Sequence, residues 1–272
     1  MPREGTLRVI DEIFEGRMRR STVYLPSGWG SGASLPLVLV AHGSQGNGRT
    51  MYERKGWAAT CERAGYVGVF PDTGAEIVEA DPDDAYFAYA LTRAADAYGT
   101  DDRRIYVVGF SGGGKRAYDF AAMHSPMVAA AAIHSGKIGH REDDPAIWDP
   151  RRADLTPLSV FHLHGAKDDR VPPLGGILVT PDGVARHVIP MEEALAVWAE
   201  ALGATPVAPP PIPELPRGSL VHMWEASGGQ VVLGVLDPTL GHDWAPYANE
   251  VIVRFFERTP PKPIPTAPPA GG

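Results

Sequence analysis

Uninterrupted apolar runs recur along the chain, and small or polar residues follow each of them. Runs of this kind are typical of strands that are buried on both faces of a sheet. A looser alternation of apolar and polar residues predicts an earlier strand over 18–25, and two late strands flank the turn Ser227-Gly228-Gly229 as a hairpin. The predicted strands that follow the first are 35–41, 66–70, 104–109, 128–133, 158–165, 219–225 and 230–237.

Between these runs, apolar residues recur three and four positions apart, which predicts amphipathic helices. Strands that alternate with helices over the whole length predict an α/β fold, with a mostly parallel central sheet and helices on both faces. Six prolines between residues 205 and 216 argue against regular structure there. The predicted helices run through 57–64, from 84 to about 94, 112–124, 190–202 and about 251–255.

No change in composition divides the strands and helices, so we expect one domain over residues 1–258. The remaining segment, 259–272, is rich in proline and is predicted to be extended or disordered. The gaps between strands are mostly short, so no large lid domain is expected. The loops over 76–84 and 173–189 are the expected walls of any site.

Composition narrows the possible partners and compartments. The chain has 272 residues, is 44% hydrophobic and carries a net charge of −8, which argues against nucleic acid or an anionic membrane as a partner. No run approaches the ~20 apolar residues of a membrane span. Cys61 is the single cysteine, so no internal disulfide can form, and no signal peptide is visible. These features favour a cytoplasmic protein, although a secreted protein whose leader has been removed would look the same.

The segment Gly109–Lys115 is the most informative stretch of the chain. Gly109-Phe110-Ser111-Gly112-Gly113 matches G-x-S-x-G, a sharp strand-to-helix turn that exposes a nucleophilic serine. The same residues also spell G-x-x-x-x-G-K, most of a phosphate-binding loop, but Arg116 stands where that loop needs Ser or Thr. A glycine-rich turn without chemistry is the third interpretation.

A serine nucleophile needs a histidine base, and the histidine needs a carboxylate. In hydrolases with this turn the chain order is Ser, then Asp or Glu, then His, each at the carboxyl end of a strand. Asp168 and Asp169 follow the 158–165 strand, and His242 follows the last strand. The pair His162 and His164 lacks a convincing third metal ligand, so we interpret these residues as core or loop-anchoring histidines and expect no metal site.

Four motifs in this order resemble the polyhydroxybutyrate depolymerase, feruloyl esterase and acetyl xylan esterase group of the α/β-hydrolases. They are His42–Ser44, Gly109–Gly113, His164–Pro172 and Gly241–Trp244, and the resemblance covers roughly residues 18–258. It implies the α/β-hydrolase fold and a serine ester hydrolase that needs no cofactor. Its H-G-x-x-D pattern falls on Asp168 rather than Asp169, and its G-H-x-W pattern falls on His242, with Ser111 as the nucleophile.

The same resemblance implies the residues around the reacting ester. The oxyanion donors are expected to be the backbone amides of Gly112 and of Ser44, with Gln45 as the alternative, while His42 braces the loop. Trp244 either lines the pocket or is a packed aromatic, and Gln45 is a further substrate-binding candidate. The glycines after Ser111 then give the substrate access to the serine and provide backbone amides that donate to the oxyanion. Lys115 and Arg116 are expected on the outer face of the helix.

The implied substrate is a small aryl or acyl ester, or an oligomeric ester. A peptidase or a thioesterase on the same scaffold stays open, because a triad alone does not separate these activities. A nucleotide-binding protein that uses the Gly109–Lys115 loop is the alternative from another class. Many secreted members of the group carry disulfides and secretion signals, and this sequence departs from both features.

Overall fold

The computed structural model describes residues 5–72, 83–137, 150–152, 154–179, 183 and 185–263. Within these residues, ten strands form one sheet, two further strands form a small hairpin, and five α-helices pack around the sheet. The strands are β1 (Thr6–Phe14), β2 (Arg17–Leu25), β3 (Leu37–Ala41), β4 (Val67–Asp72), β5 (Ile105–Phe110), β6 (Ala130–His134), β7 (Ser159–Gly165), β8 (Gly176–Val179), β9 (Ala185–Val188), β10 (Thr205–Pro206), β11 (Leu220–Glu225) and β12 (Val231–Asp237). The helices are α1 (Trp57–Ala64), α2 (Asp83–Tyr98), α3 (Gly112–Met123), α4 (Met191–Ala201) and α5 (Ala248–Arg258).

The strand order in the large sheet is β1-β2-β4-β3-β5-β6-β7-β12-β11-β10. The six central strands, from β4 to β12 in that order, are mutually parallel, and the two outer strands on each side pair antiparallel. The prediction of a mostly parallel sheet is therefore confirmed. Because β5, β7 and β12 are parallel, the loops that follow them meet at one edge of the sheet.

Helices cover both faces of the sheet, as predicted. Alternate residues of β3 point to opposite faces, so that Leu37 and Leu39 belong to the apolar layer that α2, α3 and α4 cover, while Val38 and Val40 belong to the layer that α1 and α5 cover. Each of these four side chains is fully buried. Two apolar layers around one sheet account for the continuous hydrophobic runs that predicted the central strands.

Four strands lie where none was predicted. The first, β1, pairs antiparallel with β2 through a two-residue turn, Glu15-Gly16, in which both residues have positive φ. The hairpin of β8 and β9 occupies part of the predicted 173–189 loop. The expectation of no regular structure over 205–216 is wrong for β10, whose Pro206 pairs with Trp224 at the sheet edge, where a missing N–H is tolerated.

The tail is described only at its start. The Lys262 amide donates to the Arg103 carbonyl at 2.9 Å, and the buried Lys262 ammonium donates to the carbonyls of Thr156 and Pro157. Residues 264–272, most of the 76–84 loop and His140 lie outside the described residues. In the described part of the chain, no large lid domain interrupts the sheet, and no helix is long and apolar enough to cross a membrane.

Candidate active site

Ser111 lies on the turn between β5 and α3 with φ 55° and ψ −119°, a backbone conformation that is rare for a residue with a side chain. The neighbouring glycines are needed because the strand and the helix nearly touch. A Cβ on Gly109 would lie 2.0 Å from the Gly113 carbonyl oxygen, and a Cβ on Gly113 would lie 2.4 Å from the His42 carbonyl oxygen. The G-x-S-x-G pattern therefore has a steric cause in this structure.

The structure brings Ser111, His242 and Asp168 into one line of hydrogen bonds. The Ser111 Oγ lies 2.8 Å from His242 Nε2, and His242 Nδ1 lies 2.7 Å from Asp168 Oδ2. A neutral His242 with its proton on Nδ1 donates to the carboxylate and accepts the serine proton at Nε2. These three groups come from the loops after β5, β7 and β12, which are far apart in the sequence.

Asp168 is buried and accepts four hydrogen bonds. The amides of Arg170 and Val171 donate to Oδ1 at 3.0 and 2.8 Å, and His164 Nε2 lies 3.0 Å from Oδ2, the atom that also faces His242. Burial acts to raise the pKa of this carboxyl, but the hydrogen bonds from His164, His242 and Val171 outweigh it and hold the pKa well below its usual range. Asp168 is thus held as a carboxylate, whereas the neighbouring Asp169 is exposed.

Backbone contacts join the loop that carries Asp168 to the loop that carries His242. The Ala166 amide donates to the Asp237 carbonyl at 2.8 Å, and the Lys167 amide donates to the Leu240 carbonyl at 2.9 Å. A Cβ on Gly165 would lie 2.3 Å from the Leu240 carbonyl oxygen, so this approach needs glycine. The Asp237 carboxylate accepts from Thr239 and, at 2.5 Å, from the Tyr247 hydroxyl, which closes the second loop on itself.

His134, at the end of β6, was missed as a site residue. It is fully buried, its Nε2 accepts the Ala245 amide at 2.9 Å, and its Nδ1 donates to Ser135 Oγ at 3.1 Å. Burial, with smaller contributions from nearby positive charge, holds the pKa of His134 well below its usual range, so it is neutral and can accept. The one available signal was its position at the carboxyl end of a predicted strand.

The predicted oxyanion loop follows β3. The His42 Nδ1 donates to the Gly43 carbonyl at 2.7 Å, in agreement with the bracing role expected for it. The Gly46 amide donates to the same carbonyl at 3.0 Å, and Gln45 has φ 62°. This tight turn places Ser44 and Gln45 at the rim of the cavity that also contains Ser111 and Gly112.

That cavity has a volume of about 790 Å³. The predicted wall over 173–189 contributes Ile177 and Val179 from β8, whose apolar side chains are largely exposed. Sequence reasoning missed most of the lining, because the residues come from unrelated segments. The cavity is lined by Gly43, Ser44, Gln45, Lys55, Phe110, Ser111, Gly112, Lys115, Lys137, Asp169, Arg170, Val171, Ile177, Val179, His242 and Asp243.

Among the described residues that line this cavity, Trp244 is absent. It is a packed aromatic, which is the second of the two roles predicted for it. Its ring stacks on His134 with centroids 4.6 Å apart, contacts Phe110 edge-on, and its Nε1 donates to Asn249 at 2.9 Å. It therefore supports the floor of the site from behind Phe110. Substrate contact by Trp244 finds no support in this packing.

The prediction that Lys115 and Arg116 lie on the outer face of α3 is wrong. Lys115 forms an ion pair with Asp119 and lines the cavity, while Arg116 is 4% exposed and lies 3.4 Å from the buried Asp83. His162 and His164 also lie inside the molecule, where they bond to each other at 2.9 Å. Within the described residues, no group of three or more His, Cys, Asp or Glu side chains could hold a metal ion.

Comparison with known proteins supports the fold. No family model matches the chain. A bifunctional acetylxylan esterase/xylanase of Neocallimastix patriciarum is 26% identical over 159 residues, which is 57% of this chain and 22% of that protein. The acetyl xylan esterase structure of Aspergillus awamori has a TM-score of 0.66 at 15% identity and covers 93% of this chain and all of its own. An S-formylglutathione hydrolase structure of Agrobacterium tumefaciens has a TM-score of 0.62 at 13% identity, over 94% of this chain and 96% of its own.

The chain spans less than half the length of the curated relatives that it matches. At these identities the structural likeness defines the fold, and several different hydrolases share it. The chain has the α/β-hydrolase fold, as the sequence motifs implied.

Proposed function

We propose that this chain is a serine hydrolase of carboxylic esters, in which Ser111 is the nucleophile, His242 the base and Asp168 the acid. The observation that carries the proposal is the unbroken line from the Ser111 Oγ through His242 to Asp168 Oδ2, at 2.8 and 2.7 Å, at the wall of an open cavity. The chain order Ser, Asp, His on one sheet edge supports it. So do the esterases among the proteins similar to this chain.

The geometry supports acyl transfer in two stages. His242 Nε2 takes the Ser111 proton as Oγ attacks the ester carbonyl, and Asp168 stabilises the imidazolium that forms. The amides of Gly112 and of Ser44 or Gln45 are the proposed donors to the oxyanion, each worth about 3 kcal/mol. His242 then protonates the leaving alcohol, and water releases the acid from the acyl-enzyme in the reverse sequence. None of these steps needs a cofactor.

The cavity bears on the substrate class. Its volume, about 790 Å³, accommodates an aryl or acyl ester or a short oligomeric ester. Apolar side chains from Phe110, Val171, Ile177 and Val179 suit the hydrocarbon part of such an ester, and charged side chains line the same cavity. We therefore propose small aryl or acyl esters as the first substrates to test.

Covalent labelling with a fluorophosphonate tests the nucleophile. The wild-type chain is expected to incorporate one label, Ser111→Ala none, and His242→Ala far less per unit time. Ser135→Ala is the matched control, because Ser135 is a fully buried serine that bonds to His134 and does not line the cavity among the described residues. Labelling of Ser111→Ala at the wild-type rate would overturn the assignment.

The bond class requires a second experiment. We would compare the oxygen ester, the thioester and the p-nitroanilide of one acyl group, with p-nitrophenyl esters of rising chain length and methyl ferulate alongside. Preference for the oxygen esters in kcat/KM supports the proposal. Faster turnover of the anilide or the thioester would instead favour a peptidase or a thioesterase on the same scaffold.

A further inference from the structure

A line of buried polar side chains continues inward from Asp168. His164 Nε2 lies 3.0 Å from Asp168 Oδ2 and 2.9 Å from the Val171 carbonyl oxygen. His164 Nδ1 lies 2.9 Å from His162 Nε2, and His162 Nδ1 lies 2.6 Å from the Tyr118 hydroxyl. Tyr118, His162 and His164 are 3%, 1% and 1% exposed, so water does not compete for these hydrogen bonds.

The direction of every hydrogen bond in this line follows from its outer end. The Asp168 carboxylate and the Val171 carbonyl only accept, so His164 Nε2 must carry the proton. A neutral His164 then accepts at Nδ1, which requires the proton of His162 on Nε2. His162 in turn accepts at Nδ1, and the Tyr118 hydroxyl must donate to it. Reversing any one bond would set two donors or two acceptors against each other.

Burial keeps the inner members of the line neutral. It lowers the pKa of His162 well below its usual range, with the neighbouring His164 and His134 acting in the same direction. It raises the pKa of the Tyr118 hydroxyl well above its usual range. The Tyr118 ring also stacks on Trp198 with centroids 6.0 Å apart, which limits the positions that its hydroxyl can take. His162 and Tyr118 therefore each keep their neutral form across the neutral pH range.

We propose that Tyr118, His162 and His164 are positioning residues that act as a one-way chain of donors and hold Asp168 Oδ2 in place for His242. The inference rests on the proposed function, because its purpose is to orient the acid of the triad. Tyr118 belongs to α3, which begins directly after Ser111, whereas His162 and His164 belong to β7, which leads to Asp168. The chain therefore ties the helix behind the nucleophile to the strand that carries the acid.

Removing the His164 donor changes two properties of the site. The carboxylate loses one of the two partners on Oδ2, so its orientation toward His242 is less restricted. It also becomes more basic and stabilises the imidazolium more strongly, which moves the acidic limb of the pH–rate profile to higher pH. Other titratable groups around this pair include His134 beside the His242 loop, Asp243 next to His242, and Lys55, whose ammonium lies 5.1 Å from the Phe110 ring that packs on His242. Asp169 and Arg170, which follow Asp168, line the same cavity as His242. None of them changes in the variants below.

The test compares His164→Leu, which removes the donor, with His164→Gln, whose side-chain amide restores one near the Nε2 position. With a p-nitrophenyl ester, we expect kcat/KM of His164→Leu to fall about 10- to 100-fold, with the acidic limb moved to higher pH. His164→Gln is expected to recover most of both. If His164 had a purely structural role, His164→Leu would lower the thermal midpoint. The acidic limb of the pH–rate profile would then stay at the wild-type pH for the folded enzyme, which is counted by fluorophosphonate labelling.

Tyr118→Phe tests the inner end of the line. If His164→Leu does not fold, this variant alone decides whether the line positions Asp168. It should move the acidic limb in the same direction by a smaller amount. Tyr106→Phe is the matched control, because it also loses a buried tyrosine hydroxyl, which donates to the Phe256 carbonyl away from the site, and its limb should stay at the wild-type pH. If the wild type labels at Ser111 while Tyr118→Phe and folded His164→Leu keep its profile, the inference is overturned. If Ser111 does not label, the proposed function itself fails.

Discussion

The two most contrasting regions of the molecule are the loop edge that carries Ser111, Asp168 and His242 and the outer hairpin of β1 and β2. At the loop edge, Asp168 is buried, Ser111 and His242 are partly buried, and each has defined partners at 2.7 to 3.0 Å. In the hairpin, Arg20 and Asp11 form a two-pronged ion pair in which the side chains are 54% and 47% exposed. Similar contact distances therefore occur in two very different surroundings.

The hairpin also leaves apolar side chains in contact with solvent. Leu7, Val9, Ile13 and Met18 are 45% to 69% exposed, whereas Ile10 and Phe14 on the other face of β1 pack on the core. Because water screens and competes for exposed partners, contacts between these exposed side chains contribute little to stability. At the loop edge, the same kinds of contact decide which conformation the loops adopt. Burial, rather than the number of hydrogen bonds, is what distinguishes the two regions.

The largest expected effect is at the proposed acid, Asp168. Asp168→Asn should lower kcat about 10⁴-fold, because an amide in place of the carboxylate no longer stabilises the imidazolium and permits the wrong tautomer of His242. Asp169→Asn is the matched control, since this side chain is exposed and one residue away, and it should cost far less. The comparison is made in steady-state kinetics with a p-nitrophenyl ester. If Asp169→Asn lowers kcat more than Asp168→Asn, the acid is Asp169 instead of Asp168.

A backbone clash at the nucleophile turn should have the next largest effect. Gly109→Ala would place a Cβ 2.0 Å from the Gly113 carbonyl oxygen, and relief of this contact requires the strand and the helix to separate. We expect a loss of about 3 kcal/mol or more in the free energy of unfolding, measured by urea denaturation. Gly28→Ala, where a Cβ meets nothing within 4 Å, should stay close to the wild type. Equal midpoints for the two variants would show that the turn tolerates a side chain.

The smallest effect is expected in the outer hairpin. Arg20→Gln removes the ion pair with Asp11, but both partners are about half exposed and the solvent already screens them. The thermal midpoint and the rate of ester hydrolysis should both match the wild type. A clear drop in the midpoint would mean that the hairpin contributes more to the fold than its exposure indicates.

Local physical requirements explain what could be predicted. The buried strands were visible because both faces of the central sheet are covered, so their sequences are continuously apolar. Ser111 was visible because Gly109 and Gly113, the glycines that the turn requires, each lie two residues from it in the chain. In contrast, β1 was missed because one of its faces is exposed, so its apolar residues did not form a continuous run.

Other features depended on distant parts of the chain. His134 lies at the end of β6 and Trp244 lies in the loop after β12. Their rings stack on each other, and this contact joins two segments that are far apart in the sequence. Arg116 was expected outside because a charged residue on a helix usually faces solvent, yet Asp83 from α2 provides a buried partner. No local pattern in the sequence records such pairings.

The sequence by itself determined the alternation of strands and helices and the sharp turn at Ser111, because each depends on residues close together in the chain, and its motifs predicted the order of the candidate acid and base. The tertiary structure alone decided that His242 lies 2.8 Å from the Ser111 Oγ, which segments line the cavity, and that Tyr118, His162 and His164 extend the line inward from Asp168. The physical reason is that hydrogen bonds become directional constraints only where burial removes water, and burial is a property of the packed sheet as a whole.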